Sequence, residues 1–376
     1  EEVLAQASAG DDRNRDISPV TPITAWTRFT FPGRKGKYSD FQWDWTCFDG
    51  VDWDDKRDVS TIYQFQGKDW DNQVDSEHGN YDYLMGADLD MNAPKVIEEL
   101  DRWGTWYLET TGVDGFRLDA VKHIRATYFT HWLQRLRQTS GKPLPAIGEY
   151  WKDDLGTLTR YLDQCGQVMR LFDVPLHFQF HHLSNGGGRM DLRGLFQGTL
   201  TGARPHQAIS FVDNHDTQPG QALQSWVSGW CKPLAYACIL LRQEGIPCVF
   251  YGDLYGIPHD NIPPVEALPK LLLARKHCAH GQQTDYLDDA DCIGWVRQGM
   301  GSALAVVLTD GAGGSKRMCV GAGLAGTVFV ELLGSRSERI LIPENGTAEF
   351  PVSGGSVAVW VPEATAEQIR LELNAL

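Results

Sequence analysis

Between residues 87 and 280, short apolar runs alternate with amphipathic stretches. The runs 115–121, 146–150, 168–174, 208–212 and 247–251 are each about strand length, and the spacing between them is helical. Asn92 and Pro94 open one helix, with Val96, Leu100, Trp103 and Tyr107 predicted on its inner face. Leu133 and Leu136 mark another, and 234–241 a third. Strand–helix alternation repeated five times predicts a parallel sheet with crossover helices. The pattern changes on either side. Residues 1–86 are aromatic, acidic and loop-rich, with little helical periodicity. From 281 to 376, alternating segments (303–308, 327–332, 356–361) split by glycine-rich turns predict a small antiparallel β-domain, with a short charged helical pattern after Pro362.

Charge sharpens the first of these regions. The chain of 376 residues carries a formal net charge of −15. Residues 40–90 hold fourteen acids and three bases, a net of −11. The same stretch contains Trp43, Trp45, Trp53 and Trp70, so it is not a disordered acidic tail. Folded carboxylates at this density repel one another unless a cation sits among them, and Ca²⁺ takes six to eight oxygen ligands. An acidic surface also repels phosphate backbones, which argues against nucleic-acid binding. No apolar run is long enough to span a bilayer. Eight scattered cysteines without a CxxC spacing give neither a zinc site nor a disulfide scaffold. Reduced thiols favour a cytoplasmic compartment over secretion. The chain opens on Glu-Glu-Val without Met, so a leader is not tested by its start.

Candidate chemistry lies at the strand ends, where sites form in parallel α/β architectures. Three predicted strands end in acids: Asp119, Glu149 and Asp216. Any one of them alone reads as a turn or cap residue. Together at one rim, they suit glycoside hydrolysis by a nucleophile and a proton donor. Arg117, two residues before Asp119, shares its strand face and favours the ionised carboxylate a nucleophile needs. Glu149 sits among Ile147, Tyr150 and Trp151, where desolvation favours the protonated form. His215 and Asp216 are placed to hold sugar hydroxyls. Tyr150 and Trp151 offer flat faces for pyranose stacking. Structural readings stand beside these: an Arg–Asp pair, a core histidine, a core tryptophan. A metal-dependent phosphohydrolase lacks the dense His/Asp set it would need.

The segments Gly115-Phe116-Arg117-Leu118-Asp119-Ala120-Val121-Lys122-His123, Glu149-Tyr150-Trp151 and Phe211-Val212-Asp213-Asn214-His215-Asp216 resemble, in order, the motifs of the α-amylase family of retaining glycoside hydrolases. Gly79-Asn80-Tyr81-Asp82-Tyr83-Leu84-Met85 and Phe172-Asp173-Val174-Pro175-Leu176 resemble its liquefying bacterial and cytoplasmic members. The resemblance runs from about residue 10 to 361. It implies Asp119 as nucleophile, Glu149 as general acid/base and Asp216 as transition-state stabiliser. Arg117, Lys122, His123, Tyr150, Trp151 and His215 become substrate-side or supporting residues. It implies calcium at Asp82 and Asp88 with the His123 carbonyl. A second calcium, with a sodium between the two, falls to Asp49, Asp71 and Asp90 with the Asp69 carbonyl. Asn92 replaces an aspartate of close relatives and weakens that second site. A third calcium would fall at Gly188, Asp291 and Asp310, with carbonyls of Met190 and Ala290.

The implied fold is α/β, a (β/α)8 TIM-barrel type. The first three barrel strands of the family precede the residues matched here, so the chain is expected to be an N-terminally truncated fragment with about five barrel strands. An inserted calcium-binding loop/β domain occupies 1–86, barrel strands four to eight occupy 87–280, and a C-terminal antiparallel β-sandwich occupies 281–376. The expected function is endo-hydrolysis of α-1,4-glucosidic bonds by a retaining double displacement. The alternatives are an α-glucan transglycosylase and a catalytically inactive calcium- and glucan-binding fragment. The expected partner is an α-glucan polysaccharide or oligosaccharide, with no nucleic acid, no membrane and a monomeric state.

Overall fold

The computed structural model describes residues 1–9, 16–75, 83–299 and 302–375. Packing divides the chain into two compact units: Glu1–Trp151 with Leu158–Leu171, and Lys152–Thr157 with Phe172–Leu376.

The first unit begins with an antiparallel sheet. Strand Glu2–Ala9 pairs with Thr21–Thr24 and with Val59–Phe65. Strand Phe48–Asp54 pairs with Val59–Phe65 and with Ala87–Leu89. Alternation puts Val3, Ala5, Tyr63 and Phe65 into one core, which Val96 of the following helix joins. That helix, Pro94–Thr111, starts on a proline whose missing N–H costs nothing there. It stops at Gly112, whose φ of 68° lets the chain leave the last turn. Its inner face is set by Val96, Gly104 and Leu108. Trp103, expected on that face, is 45% exposed. Gly104 explains the difference, because a Cβ there would lie 2.8 Å from the Trp132 ring, so the helix closes on its neighbour through the glycine.

Strands Phe116–Leu118, Ala146–Gly148 and Arg170–Phe172 run parallel, with Leu118 opposite Gly148 and Gly148 opposite Leu171. Helix Ala126–Ser140 makes the first crossover, burying Phe129, Trp132, Leu133 and Leu136.

In the second unit, strands Ala208–Phe211 and Ile246–Cys248 are parallel. The last expected strand therefore sits one residue early, and Tyr251–Tyr255 turns into a short helix. Helix Val174–Asn185 is capped by Asp173, which is fully buried and also accepts from the N–H groups of Leu200 and Thr201. That aspartate of the 172–176 motif is structural. A six-stranded antiparallel sheet closes the chain, in the order Gln282–Tyr286, Ile293–Gly299, Ser302–Thr309, Ser356–Pro362, Val328–Glu331, Arg339–Leu341. Both its faces are covered. Leu304, Val306 and Leu308 meet the helices Lys232–Leu241 and Leu268–Cys278. Ala303, Ala305 and Val307 meet the ribbon Gly313–Cys319 and Thr347–Ser353. Helix Glu363–Ala375 follows.

Neither expected domain boundary is a break in packing. Val96 shares a core with Ala5 across residue 86, and Leu271 shares one with Val306 across residue 280. Among the described residues, no helix is long and apolar enough to cross a membrane.

Candidate active site

Asp119 follows the strand Phe116–Leu118, and alternation leaves its carboxylate on the face of Arg117, whose guanidinium donates to it. The pair is open to solvent, the Asp119 side chain 71% exposed. The next residue, Ala120, has a φ of 45°, a strained value for a side chain with a Cβ and one met at functional turns. The turn aims the Ala120 N–H at the Glu149 carboxylate, 3.0 Å away. Glu149 itself is 7% exposed. Its N–H donates to the Leu118 carbonyl at 2.8 Å, and its carbonyl accepts from Val121 at 3.0 Å. Gly148 lets the strand end pack this tightly, because a Cβ there would lie 2.8 Å from Met169 Sδ. Two carboxyl groups are thus joined through one backbone turn. One is solvent-open beside a cation; the other is buried and held by a backbone amide.

Lys122 and His123 lie on the short turn Val121–His123. The Lys122 ammonium donates to the Trp151 carbonyl at 3.3 Å. Trp151 is half-buried. Tyr150 departs from expectation. It is 3% exposed, its ring packs on Tyr161 at 4.8 Å, and its hydroxyl donates to Asp75. A ring so enclosed presents no face to a sugar; it braces the loop that carries Asp75, whose N–H donates to the Lys122 carbonyl.

In the second unit, His215 Nε2 lies 3.1 Å from Asp216 Oδ2, and the histidine side chain is 64% exposed. Asn214 folds this loop by accepting from the N–H groups of Asp216 and Thr217, each at 2.9 Å. Beneath it lies a network that sequence reasoning missed. Asp213, 2% exposed, accepts from Thr217 Oγ1 at 2.7 Å and pairs with Lys232 at 3.0 Å. Lys232 also pairs with Asp253, which accepts from the Tyr236 hydroxyl at 2.6 Å. Burial pushes the Asp213 carboxyl up to about 7, although the Lys232 charge pulls it down. His177 bonds the Val212 carbonyl and Ser225 Oγ, and burial holds it down at about 4. The available signal was a lone lysine opening the most apolar helix of the chain, Lys232–Leu241.

The acidic segment offers hard oxygen donors suited to calcium. Asp49, Asp71 and Asp90 are buried, Asp88 is half-buried, and Asp69 is exposed. Asp82 lies outside the described residues. Among the described residues, no three acidic, histidine or cysteine side chains converge on one point. Two of the expected ligands hold protein cations. Asp71 pairs with Arg125 at 2.6 Å, Asp90 pairs with Lys68, and Arg125 also donates to Asn92 at 2.6 Å. In the second unit Asp310, which burial pushes up, accepts from the Met190 N–H at 3.0 Å.

Residues 28–289 match the model of the alpha-amylase catalytic domain, and the chain belongs to that family. Its fold is accordingly the TIM-barrel type with a C-terminal β domain. The chain is 55% identical over 361 residues to an alpha-amylase of Geobacillus stearothermophilus, covering 94% of this chain and 66% of that relative. It is 41% identical over 380 residues to the cytoplasmic alpha-amylase of Escherichia coli, covering 96% of this chain and 77% of that one. The crystal structure of a Geobacillus thermoleovorans alpha-amylase complexed with acarbose superposes with a TM-score of 0.57 at 20% identity, over 78% of this chain and 69% of that one. The chain thus spans about two thirds of the length of the Geobacillus stearothermophilus relative.

Proposed function

We propose that this chain carries the catalytic carboxylates of an endo-acting α-1,4-glucan hydrolase working with retention. Glu149 gives its proton to the glycosidic oxygen while Asp119 attacks the anomeric carbon. A covalent glycosyl-enzyme forms and the leaving sugar departs with the proton. Glu149, now a carboxylate, takes a proton from water, whose oxygen then releases the sugar from Asp119. Retention calls for the two carboxyl groups to stand about 5–5.5 Å apart. Asp216, oriented by its own turn and by His215, is the carboxylate that the family motif offers as transition-state stabiliser. The observation that carries this reading is the Ala120–Glu149 hydrogen bond, which ties the buried acid to the turn that follows the exposed one.

The test is starch hydrolysis by the full-length protein and its Asp119→Asn and Glu149→Gln variants. Each variant should lose about 10²–10⁴-fold in kcat or more. Full activity in either would remove that residue from its role. Products longer than the maltooligosaccharide supplied would make the protein a transglycosylase.

We also propose calcium for the acidic segment, held by Asp82, Asp88 and the His123 carbonyl, with Asp49, Asp69, Asp71 and Asp90 left for a second calcium and a sodium. Bound there, the ions would neutralise a segment of net charge −11. The second position is the weaker one, because Arg125 and Lys68 already hold Asp71 and Asp90. Calcium should raise the thermal midpoint, and no rise at millimolar calcium would count against the site. For compartment, the relative from Escherichia coli is cytoplasmic by name. A cytoplasmic location is the reading we favour.

A further inference from the structure

Packing alone does not fix His215, which is exposed, or Asp216, which is half-buried. Their side chains go where the turn 213–217 carries them. The two ends of that turn are different: Asp213 is 2% exposed and Thr217 is fully buried. They clasp each other. Thr217 Oγ1 donates to Asp213 Oδ1 at 2.7 Å and accepts from the Asn214 N–H at 2.9 Å. The Thr217 carbonyl in turn accepts from the Ser225 N–H at 3.1 Å. The second oxygen of Asp213 serves another part of the fold. Oδ2 accepts from the Val227 N–H at 3.2 Å and pairs with the Lys232 ammonium at 3.0 Å. Lys232 is itself fixed by Asp253 and by the face of the Trp226 ring, and Asp253 by the Tyr236 hydroxyl at 2.6 Å. The Asp213 carboxylate is thus a strut with one oxygen on the turn and the other on the helix Lys232–Leu241.

A buried ion cluster is a poor device for holding a helix, because apolar side chains of similar volume often do so at least as well. What charge-assisted hydrogen bonds add is direction. Here they lead to the turn that presents Asp216. We infer that Lys232, Asp213 and Thr217 are positioning residues for Asp216, with the Lys232 ammonium setting the angle of the Asp213 carboxylate and Thr217 passing it to the turn. The inference rests on the hydrolase reading, in which Asp216 is the transition-state stabiliser. Displacing a reacting group by about 1 Å can cost about 10²-fold in rate, so a strut of this kind acts on kcat without touching the sugar.

The test is steady-state hydrolysis of a soluble maltooligosaccharide by the full-length protein, with circular dichroism at the assay temperature to confirm that each variant is folded. Thr217→Val keeps the shape and removes the hydroxyl; Thr217→Ser keeps the hydroxyl. Thr217→Val should lower kcat about tenfold with KM within about twofold, and Thr217→Ser should restore most of kcat. Lys232→Met should lower kcat by a similar factor. The double variant Lys232→Met/Thr217→Val should lose little more than either single one, since both cut the same strut. If Lys232→Met does not fold, the two Thr217 variants carry the test. A role in stability alone would lower the thermal midpoint and leave kcat of the folded enzyme unchanged. Unchanged kcat in Thr217→Val overturns the proposal, as does a Thr217→Ser variant as slow as Thr217→Val, or losses that multiply in the double variant. Asp216→Asn separates the two readings. If it loses activity while Thr217→Val keeps its kcat, only the positioning role falls. If Asp216→Asn hydrolyses at the full rate, the stabiliser role itself falls, and the positioning role with it.

Discussion

Tyr150 and Glu149 are neighbours in a strand end, yet their surroundings give them opposite work. Glu149 takes a backbone amide from the turn after Asp119, whereas Tyr150 turns inward and donates to Asp75. Tyr150→Phe should therefore cost stability, about 1.5–3 kcal/mol for a hydrogen bond to a charged group, and leave KM for starch nearly unchanged. Urea denaturation beside steady-state kinetics separates the two. Buried groups in the second unit set the response to pH. His177 titrates at about 4 when folded and near 6.5 when unfolded. As pH falls from 6.5 to 4, the unfolded chain takes up a proton the folded one refuses, and stability drops. Asp213 acts with the opposite sign. Its folded value of about 7 means that the native state holds a proton the unfolded chain has lost, so stability grows as pH falls from about 7 to 3.8. The two trends offset each other in the native protein. Thermal midpoints of His177→Gln should fall less steeply across pH 6.5 to 4, and those of Asp213→Asn more steeply. Equal slopes in all three proteins would refute both assignments.

Elements were legible where one local pattern specified them. All five parallel strands were readable because apolar residues cluster in each, even where they end up exposed, as Ile246 and Cys248 do. The strand-end acids stood out for the same reason. The ion cluster of Lys232, Asp213 and Asp253 did not, because its members come from a helix, a strand end and a short helix far apart in sequence. Trp103 was assigned inward because periodicity ranks residues by apolarity, and it could not see that Gly104 had claimed the contact. The Lys232 cluster also determines how its helix is held. The helix Lys232–Leu241 buries nearly every side chain, and its single cation sits between two carboxylates and against the Trp226 ring at 3.1 Å. Lys232→Met should destabilise by about 3–5 kcal/mol, since it strands Asp213 and Asp253 without their cation. Denaturant midpoints at pH 7 measure it, and a neutral outcome would mean that the two ion pairs add nothing to stability.

The molecule carries most of its excess negative charge in one stretch, and protein cations already offset part of it. Arg125→Ala should lower stability without calcium, because Asp71 loses its partner. It should also tighten calcium binding about tenfold, because that carboxylate becomes available. Calorimetric titration reads the second effect and a thermal scan the first; weaker calcium binding in the variant would separate Asp71 from any metal. Domain limits were the least legible feature at this scale, because composition changes at 86 and 280 while side-chain packing runs through both. The final sheet shows what that continuity entails. With Leu304, Val306 and Leu308 pressed on helices and the alternate residues pressed on a ribbon, it is a party wall rather than an annexe. A chimera spliced at 280 would strip the plaster from both rooms, and each half would carry an oily surface into solution. Grafting a foreign C-terminal module onto this scaffold therefore means redesigning the helices 232–241 and 268–278 along with it.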